Sequence, residues 1–320
     1  MPKRTKPRAG SLQFWPRKRA RRIYPRTNYW AKSKETVPLG FAGWKAGMTH
    51  VQLTENNKNS KLYGKIITKS VTILDSPSLL VCGVRYYKKT HDGLKSIGEK
   101  WIEKLPKEVK LNTGNKKSSK EIHMEDVHDV TLIVSTQPSK SGMHKKKTDV
   151  FEMGVGGELS KKIPYAESLL GKEIGAKDVL KPGEFVDISA ITKGHGYTGP
   201  VKRFGIRIQT RKDQQHHRHA GSIGGVVPRK VDWRVPLPGQ YGFFTRTEFN
   251  KKILMIDEGA KANPKGGFVG YGVVPKTFVM IEGSIPGPRK RLIRIRKSVR
   301  KKIVSPVEIS YISLESKQGA

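Results

Sequence analysis

The chain has 320 residues, with 63 Lys+Arg against 27 Asp+Glu and a formal net charge of +36 at pH 7. Apolar residues make up 35% of it, enough for a sizeable core and about two domains, so full-length disorder is excluded. No run approaches the roughly 18–20 apolar residues that span a bilayer.

A compact chain this cationic repels itself. Nucleic acid is the polyanion that fits, because each neutralised phosphate releases counterions. A membrane-surface protein would carry a cationic amphipathic helix, and the basic runs here are not built that way. The first of them, segment 1–37, reads as an extended arm. Residues 1–34 hold twelve Lys or Arg and no acid, interleaved with Phe14, Trp15, Tyr24, Tyr29 and Trp30 and interrupted by four prolines. Such a composition buries no core of its own, and aromatics among cations suit stacking on bases. Arg4, Arg8, Arg17, Arg19, Arg21, Arg22 and Trp30 are its candidate RNA contacts. The basic N-terminus lacks the apolar stretch of a signal peptide. The single Cys82 has no internal disulfide partner, as expected in a reducing cytoplasm.

Segment 38–90 turns to β. Residues 39–53 mix aromatics, β-branched residues and glycines, the pattern of a tightly bent strand at a small barrel's corner. Strands at 65–74 and 79–87 follow, split by Ser76-Pro77-Ser78. Segment 91–175 is an α/β insertion with lysine-rich loops at 112–120 and 139–148. It carries a part-helical stretch at 99–111, a short helix at 121–127, a strand at 130–135 and a helix at 161–170 with Pro164 in its first turn. Segments 176–192 and 253–320 return to β, with strands at 184–191, 268–282, 292–296 and 307–313. Within the acid-free run 283–307, Leu292-Ile293-Arg294-Ile295-Arg296 places arginines on one strand face. Arg289, Arg291, Arg294 and Arg296 are expected to read a phosphate backbone.

Segment 193–252 is too poor in periodic apolar residues to fold alone and is unusually long for a loop. It holds thirteen Lys or Arg, three acids and four histidines, as expected of a loop that leaves the β body and lies within folded RNA. Its candidate contacts are Lys193, His195, Lys202, Arg203, Arg207, Arg211, His216, His217, Arg218, His219, Arg229, Lys230, Arg234 and Arg246. Trp233, flanked by Pro228 and Pro236, is a stiffened aromatic suited to wedging against a base.

Two patterns in this loop suggest other chemistry. Gly194-His195-Gly196-Tyr197-Thr198-Gly199 satisfies the dinucleotide-binding spacing, but no helical period follows and no βαβ series surrounds it. A glycine-rich turn whose bare backbone approaches phosphates is the better account. Gln214-Gln215-His216-His217-Arg218-His219 lies among cations with one nearby acid, Asp213, whereas zinc asks for four convergent ligands. No nucleophile elbow, phosphate-binding loop or zincin motif occurs. No catalytic residue, metal, cofactor or small-molecule substrate is expected.

Several segments carry a resemblance. They are Gly43-Trp44-Lys45-Ala46-Gly47-Met48-Thr49, the stretch from Asp187-Ile188-Ser189-Ala190 through Gly199-Pro200-Val201-Lys202-Arg203, Gly221-Ser222-Ile223-Gly224, and Gly283-Ser284-Ile285-Pro286-Gly287-Pro288. Together the sequence resembles the universal large-subunit ribosomal protein L-three family in its archaeal version, essentially end to end, with 91–175 least diagnostic. The resemblance implies a mainly β fold with an α/β insertion: a translation-protein-type six-stranded β-barrel plus long RNA-penetrating extensions. It implies binding to 23S rRNA near its 3′ end, a part in early subunit assembly, and a loop extending toward the peptidyl-transferase centre. Neighbouring large-subunit ribosomal proteins would be partners, in the cytoplasmic ribosome. By position Trp233 would be the aromatic at the loop tip, and His216, His217 and His219 would lie in its basic stretch.

Overall fold

A computed structural model of the chain describes residues 10–109, 123–227, 229–301, 304–316 and 318. Arg4, Arg8, the lysine-rich loop at 112–120 and Pro228 lie outside the described residues. The chain divides into two compact units, one of residues 23–190 with 246–320 and one of residues 1–22 with 191–245.

The elements in chain order are β1 (Gly40–Thr54), β2 (Ile66–Asp75), β3 (Leu79–Thr90), β4 (Gly93–Trp101), β5 (Asp129–Ser135), β6 (Val150–Gly154), α1 (Leu159–Ser168), β7 (Glu173–Ile174), α2 (Ala176–Val179) and β8 (Phe185–Ile191). Then come β9 (Gly194–Thr198), α3 (Pro200–Phe204), β10 (Gly239–Gly242), β11 (Thr245–Glu258), β12 (Thr277–Glu282), β13 (Leu292–Lys297) and β14 (Ile309–Ile312). One sheet runs β13-β8-β11-β12-β2-β1-β14, and β13 pairs with β1 as well as with β8. A second, five-stranded sheet runs β4-β3-β5-β6, with β7 on β3.

The chain is mainly β, as its sequence suggests, but two assignments shift. β3 falls in segment 38–90 yet pairs with β4, β5 and β7, so it opens the second sheet. The stretch expected to be part-helical is extended as far as Trp101, closing a hairpin with β3 through Thr90↔Gly93. Gly93 takes φ +119 at that turn, which a side chain would resist. α1 starts at Leu159, so Pro164 lies inside the helix rather than in its first turn. The strand expected at 268–282 is confined to β12.

β5 and β8 are buried along nearly their whole lengths, which is why β5 carries the unbroken apolar run Leu132-Ile133-Val134, whereas β8 alternates apolar residues with the buried polar Asp187 and Ser189. Cys82 is in the core of β3, where burial pushes its thiol up to about 12. Close packing fixes the glycines of β1: a Cβ at Gly47 would stand 2.5 Å from the Phe268 ring. Between them, buried Lys45 donates through Nζ to the carbonyls of Ile285 at 2.7 Å and Gly287 at 3.1 Å. The two segments that carry much of the resemblance are thus hydrogen-bonded to each other.

The basic arm also divides. Residues 24–37 are fastened to the larger unit. Tyr24 donates its hydroxyl to the Val150 carbonyl at 2.8 Å, and the amides of Gly156 and Gly157 donate to the carbonyls of Val37 and Ser33. The Trp30 ring fills the space above two strand glycines; a Cβ at Gly40 or Gly154 would come within 2.7 or 2.5 Å of it. Arg294 on β13 is only 3% exposed. Its guanidinium donates to the carbonyls of Pro25 at 3.3 Å and Glu152 at 2.6 Å and lies 4.1 Å from the Phe151 ring centroid. Burial pulls its pKa down to about 10, which still leaves it charged at neutral pH. The arginine face of β13 therefore clamps this strap from inside.

Removing the Trp30 ring should release the strap. Trp30→Ala is expected to cost about 3 kcal/mol, the lower end for truncating a large packed aromatic. Limited trypsin treatment of nuclease-treated protein should then cut at Arg26, Lys32 and Lys34, which stay protected in the unaltered chain.

A second prediction concerns Asp75. Its Oδ2 accepts from the Tyr271 hydroxyl at 2.6 Å and the Gly142 amide at 3.0 Å, while Oδ1 is buried with no partner among the described residues. Burial raises this carboxyl above its ordinary range, and the two hydrogen bonds oppose the rise only in part. A group raised in the folded state contributes stability that is present at low pH and lost as pH rises through its folded value. Asp75→Asn should therefore stabilise the chain at pH 7 by about 1–2 kcal/mol, with the gain in melting temperature shrinking as pH falls through the raised folded value and gone by about pH 4.

Candidate nucleic-acid interface

The smaller unit joins residues 10–22 to the long internal segment. Its frame is a short ribbon in which β9 pairs antiparallel with β10 through Thr198↔Gly239 and Tyr197↔Gln240. The G-x-G-x-x-G stretch is thus strand and turn, and one turn of helix, α3, follows it. Gly199 and Pro200 begin α3, and Gly205 ends it in the left-handed region at φ +67.

Arg203 and Phe204 at the end of α3 are the centre of a guanidinium–aromatic cluster. Arg203 turns inward: Nε donates to the Gln240 carbonyl at 3.1 Å, and a terminal nitrogen donates to the Leu237 carbonyl at 2.7 Å. Burial lowers its pKa. Phe204 is buried and stacks with Trp15 at a centroid distance of 6.0 Å. Arg17 lies 4.1 Å from the Phe204 centroid and donates to the Arg203 carbonyl at 2.7 Å. Trp15 in turn meets Trp233 edge to face at 5.1 Å, and Arg234 lies 5.3 Å from the Trp233 ring. Each guanidinium–ring contact contributes about 0.5–2 kcal/mol according to burial.

Trp233 is held on one side only and stays 55% exposed. An Asx turn sets its neighbour, with the Arg234 amide donating to Asp232 Oδ1 at 2.8 Å. On the ribbon His195 stacks with Tyr241 at 5.0 Å, and Tyr197 is 78% exposed. Arg19 lies 5.4 Å from the Phe243 ring, and the Ala20 amide donates to the Phe243 carbonyl.

Around this frame Arg19, Arg21, Arg22, Lys193, His195, Lys202, Arg207, Arg211, His216, Arg218, His219, Arg229, Lys230 and Arg234 are exposed, while Arg17 and His217 are half-buried. His216 and His219 bring their Nδ1 atoms within 3.4 Å. Among the described residues no three His, Cys, Asp or Glu side chains are grouped to hold a metal ion. No helix among them is long and apolar enough to cross a membrane.

In the larger unit the candidates are less uniform. Arg289 is exposed, whereas Arg246 and Arg291 are half-buried with pKa values lowered by desolvation. Arg296 pairs with fully buried Asp187 at 3.2 Å and donates to the Tyr29 carbonyl at 2.9 Å. Arg294 and Trp30 face into the protein.

Residues 1–319 match the protein family described as Ribosomal protein L3. The chain belongs to the ribosomal protein L3 family. Its similarity to archaeal members is close to end to end. A Methanopyrus kandleri protein named "Large ribosomal subunit protein uL3" is 46% identical over 98% of this chain and 92% of its own length. Proteins of the same name from Methanothermobacter thermautotrophicus and Methanococcus maripaludis are each 44% identical, the first over 100% of both chains and the second over 99% of both.

Charge alone led to the surface cations of this family member, and it passed over the rings that organise them. Phe204, Tyr241 and Phe243 lie within the basic segment, and their adjacency to Arg203 and Arg246 was the available signal. It also took Arg203 and Arg294 for outward contacts. Nothing in a single sequence separates an arginine that meets a carbonyl from one that meets a phosphate.

Phe204→Ala should remove the shared ring of the cluster. The expected cost is about 3–4 kcal/mol, read as lost amide-exchange protection in residues 10–22 and 236–243 and a changed emission from Trp15 and Trp233.

Proposed function

We propose that this chain is a structural component of the large ribosomal subunit that binds 23S rRNA near its 3′ end and assists early subunit assembly. The smaller unit extends within the RNA toward the peptidyl-transferase centre, and the six strands β1, β2, β8, β11, β12 and β13 close as the barrel that carries it. Its other partners are neighbouring large-subunit proteins, and it resides in the cytoplasmic ribosome. The chain supplies scaffold and charge, and the RNA supplies the chemistry.

The observation that carries this reading is the construction of the smaller unit. Its internal cations Arg17 and Arg203 meet carbonyls and rings, while Arg207, Arg211, Arg218, Arg229 and Lys230 project outward. That arrangement presents a field of positive charge with exposed aromatics among it, which suits phosphates and unstacked bases together. Arg4 and Arg8 extend the same charge pattern in sequence, and Arg19, Arg21, Arg22, Lys193, Lys202, Arg234 and Arg289 complete the proposed phosphate contacts. Family membership supports the assignment to the large subunit, since the archaeal relatives carry that name.

Fractionating a lysate tests the reading: the chain should co-sediment with large subunits and be released in high salt. A chain found mainly at the top of the gradient would contradict it. The loop tip has its own test. Trp233→Ala subunits should assemble, with altered chemical probing of nearby rRNA and translation reduced severalfold. Wild-type probing and translation would remove Trp233 from the interface.

A further inference from the structure

A second cation–aromatic assembly stands apart in the larger unit, and the acid-free run alone does not reveal it. Its centre is Phe249 on β11, followed by Asn250 in the left-handed region at φ +56. The geometry of this irregularity in the strand is fixed by Asp187, which is fully buried. Asp187 Oδ1 accepts the Asn250 amide at 3.1 Å. Its Oδ2 accepts from Arg296 at 3.2 Å and lies 3.4 Å from the Val299 amide. Ser298 closes the frame, donating its hydroxyl to Asn250 Oδ1 at 2.9 Å and accepting the Lys301 amide at 3.1 Å. One buried carboxylate therefore holds together the part of β11 that presents Phe249 and the segment after β13 that carries Arg300 and Lys301.

Above this frame two guanidinium groups share one ring. Arg300 lies 4.6 Å and Arg296 5.8 Å from the Phe249 centroid, yet the ring stays 41% exposed. Asp187 balances Arg296. Among the described residues neither Arg300 nor Lys301 forms an ion pair, and both are exposed; the Lys301 ammonium lies over a neighbouring ring, 3.9 Å from the Phe185 centroid. Drawing like charges to one ring is unfavourable unless an anion arrives to share them. An exposed ring beside Arg300, which has no carboxylate partner among the described residues, with Lys301 next to it in the chain, has the components of a nucleotide platform: a face for stacking and donors for the adjoining phosphate.

We infer that Phe249, Arg296, Arg300 and Lys301 form a second RNA-binding site, which takes an unstacked rRNA nucleotide with its base on Phe249 and its phosphate on Arg300 and Lys301. This rests on the proposal that the chain is a large-subunit rRNA-binding protein. It adds a base-stacking site in the larger unit, independent of Trp233.

The test uses the full chain. A photoreactive phenylalanine analogue at position 249, carried into assembled large subunits, should crosslink to rRNA. Crosslinking to a ribosomal protein, or none, overturns the site. In titrations with large-subunit rRNA, Phe249→Ala should weaken binding about tenfold with the salt slope unchanged, and Phe249→Trp should restore it. Arg300→Gln should lower the slope of log affinity against log salt by about one. Unchanged affinity in Phe249→Ala overturns the proposal; if that variant melts early, the Trp variant and the crosslink decide. A wild-type chain that does not sediment with large subunits defeats the underlying reading. A chain that does, with no RNA crosslink at 249, defeats the platform alone.

Discussion

Inward-facing cations in this protein are satisfied by backbone carbonyls and aromatic faces. Lys45 meets two carbonyls of the turn at 285–287, Arg17 and Arg203 meet three in the smaller unit, and Arg294 meets those of Pro25 and Glu152. With 27 acids for 63 cations, carboxylates are too few to pair every cation. A carbonyl dipole satisfies the donor hydrogens without cancelling the charge, so the fold closes and the net charge remains.

The acids that do exist are concentrated elsewhere. Segment 91–175 holds thirteen of them beside fifteen lysines and no arginine. There the pairing is conventional: Lys100 with Glu167, Lys162 with Asp129, and, from β3, Arg85 with Glu99 and Lys88 with Asp126. Surface pairs of this kind contribute little each, but they leave the five-stranded sheet close to neutral. The positive charge is thus densest in the smaller unit and in the β body around β13, the regions proposed to meet RNA.

What the sequence made legible follows from the range of the interactions involved. Strands β2, β5 and β8 declared themselves because their clusters of apolar and β-branched residues are local in sequence, and the long basic loop declared itself through charge and the lack of any period. The hairpin of β3 and β4 was missed although His91-Asp92-Gly93 is a turn signal, because Leu94, Ile97 and Trp101 have helix-like spacing. The strap was missed for a different reason. Trp30 rests on Gly40 and Gly154, and Arg294 reaches Pro25 across 269 positions; such partners are invisible without the fold. The same holds for Arg300 and Phe249, whose meeting depends on buried Asp187.

The central claim is that inward cations serve the fold and outward cations serve the polyanion, and the salt dependence of rRNA binding separates the two. Log affinity should be plotted against log salt for single substitutions of both kinds in the full chain. Arg207→Gln, Arg211→Gln and Arg218→Gln should each reduce the slope by about one. Lys45→Met and Arg294→Lys should lower the melting temperature and leave the slope unchanged. If an inward substitution reduces the slope as much as an outward one, or the outward ones leave it untouched, the division of labour proposed for these charges is wrong.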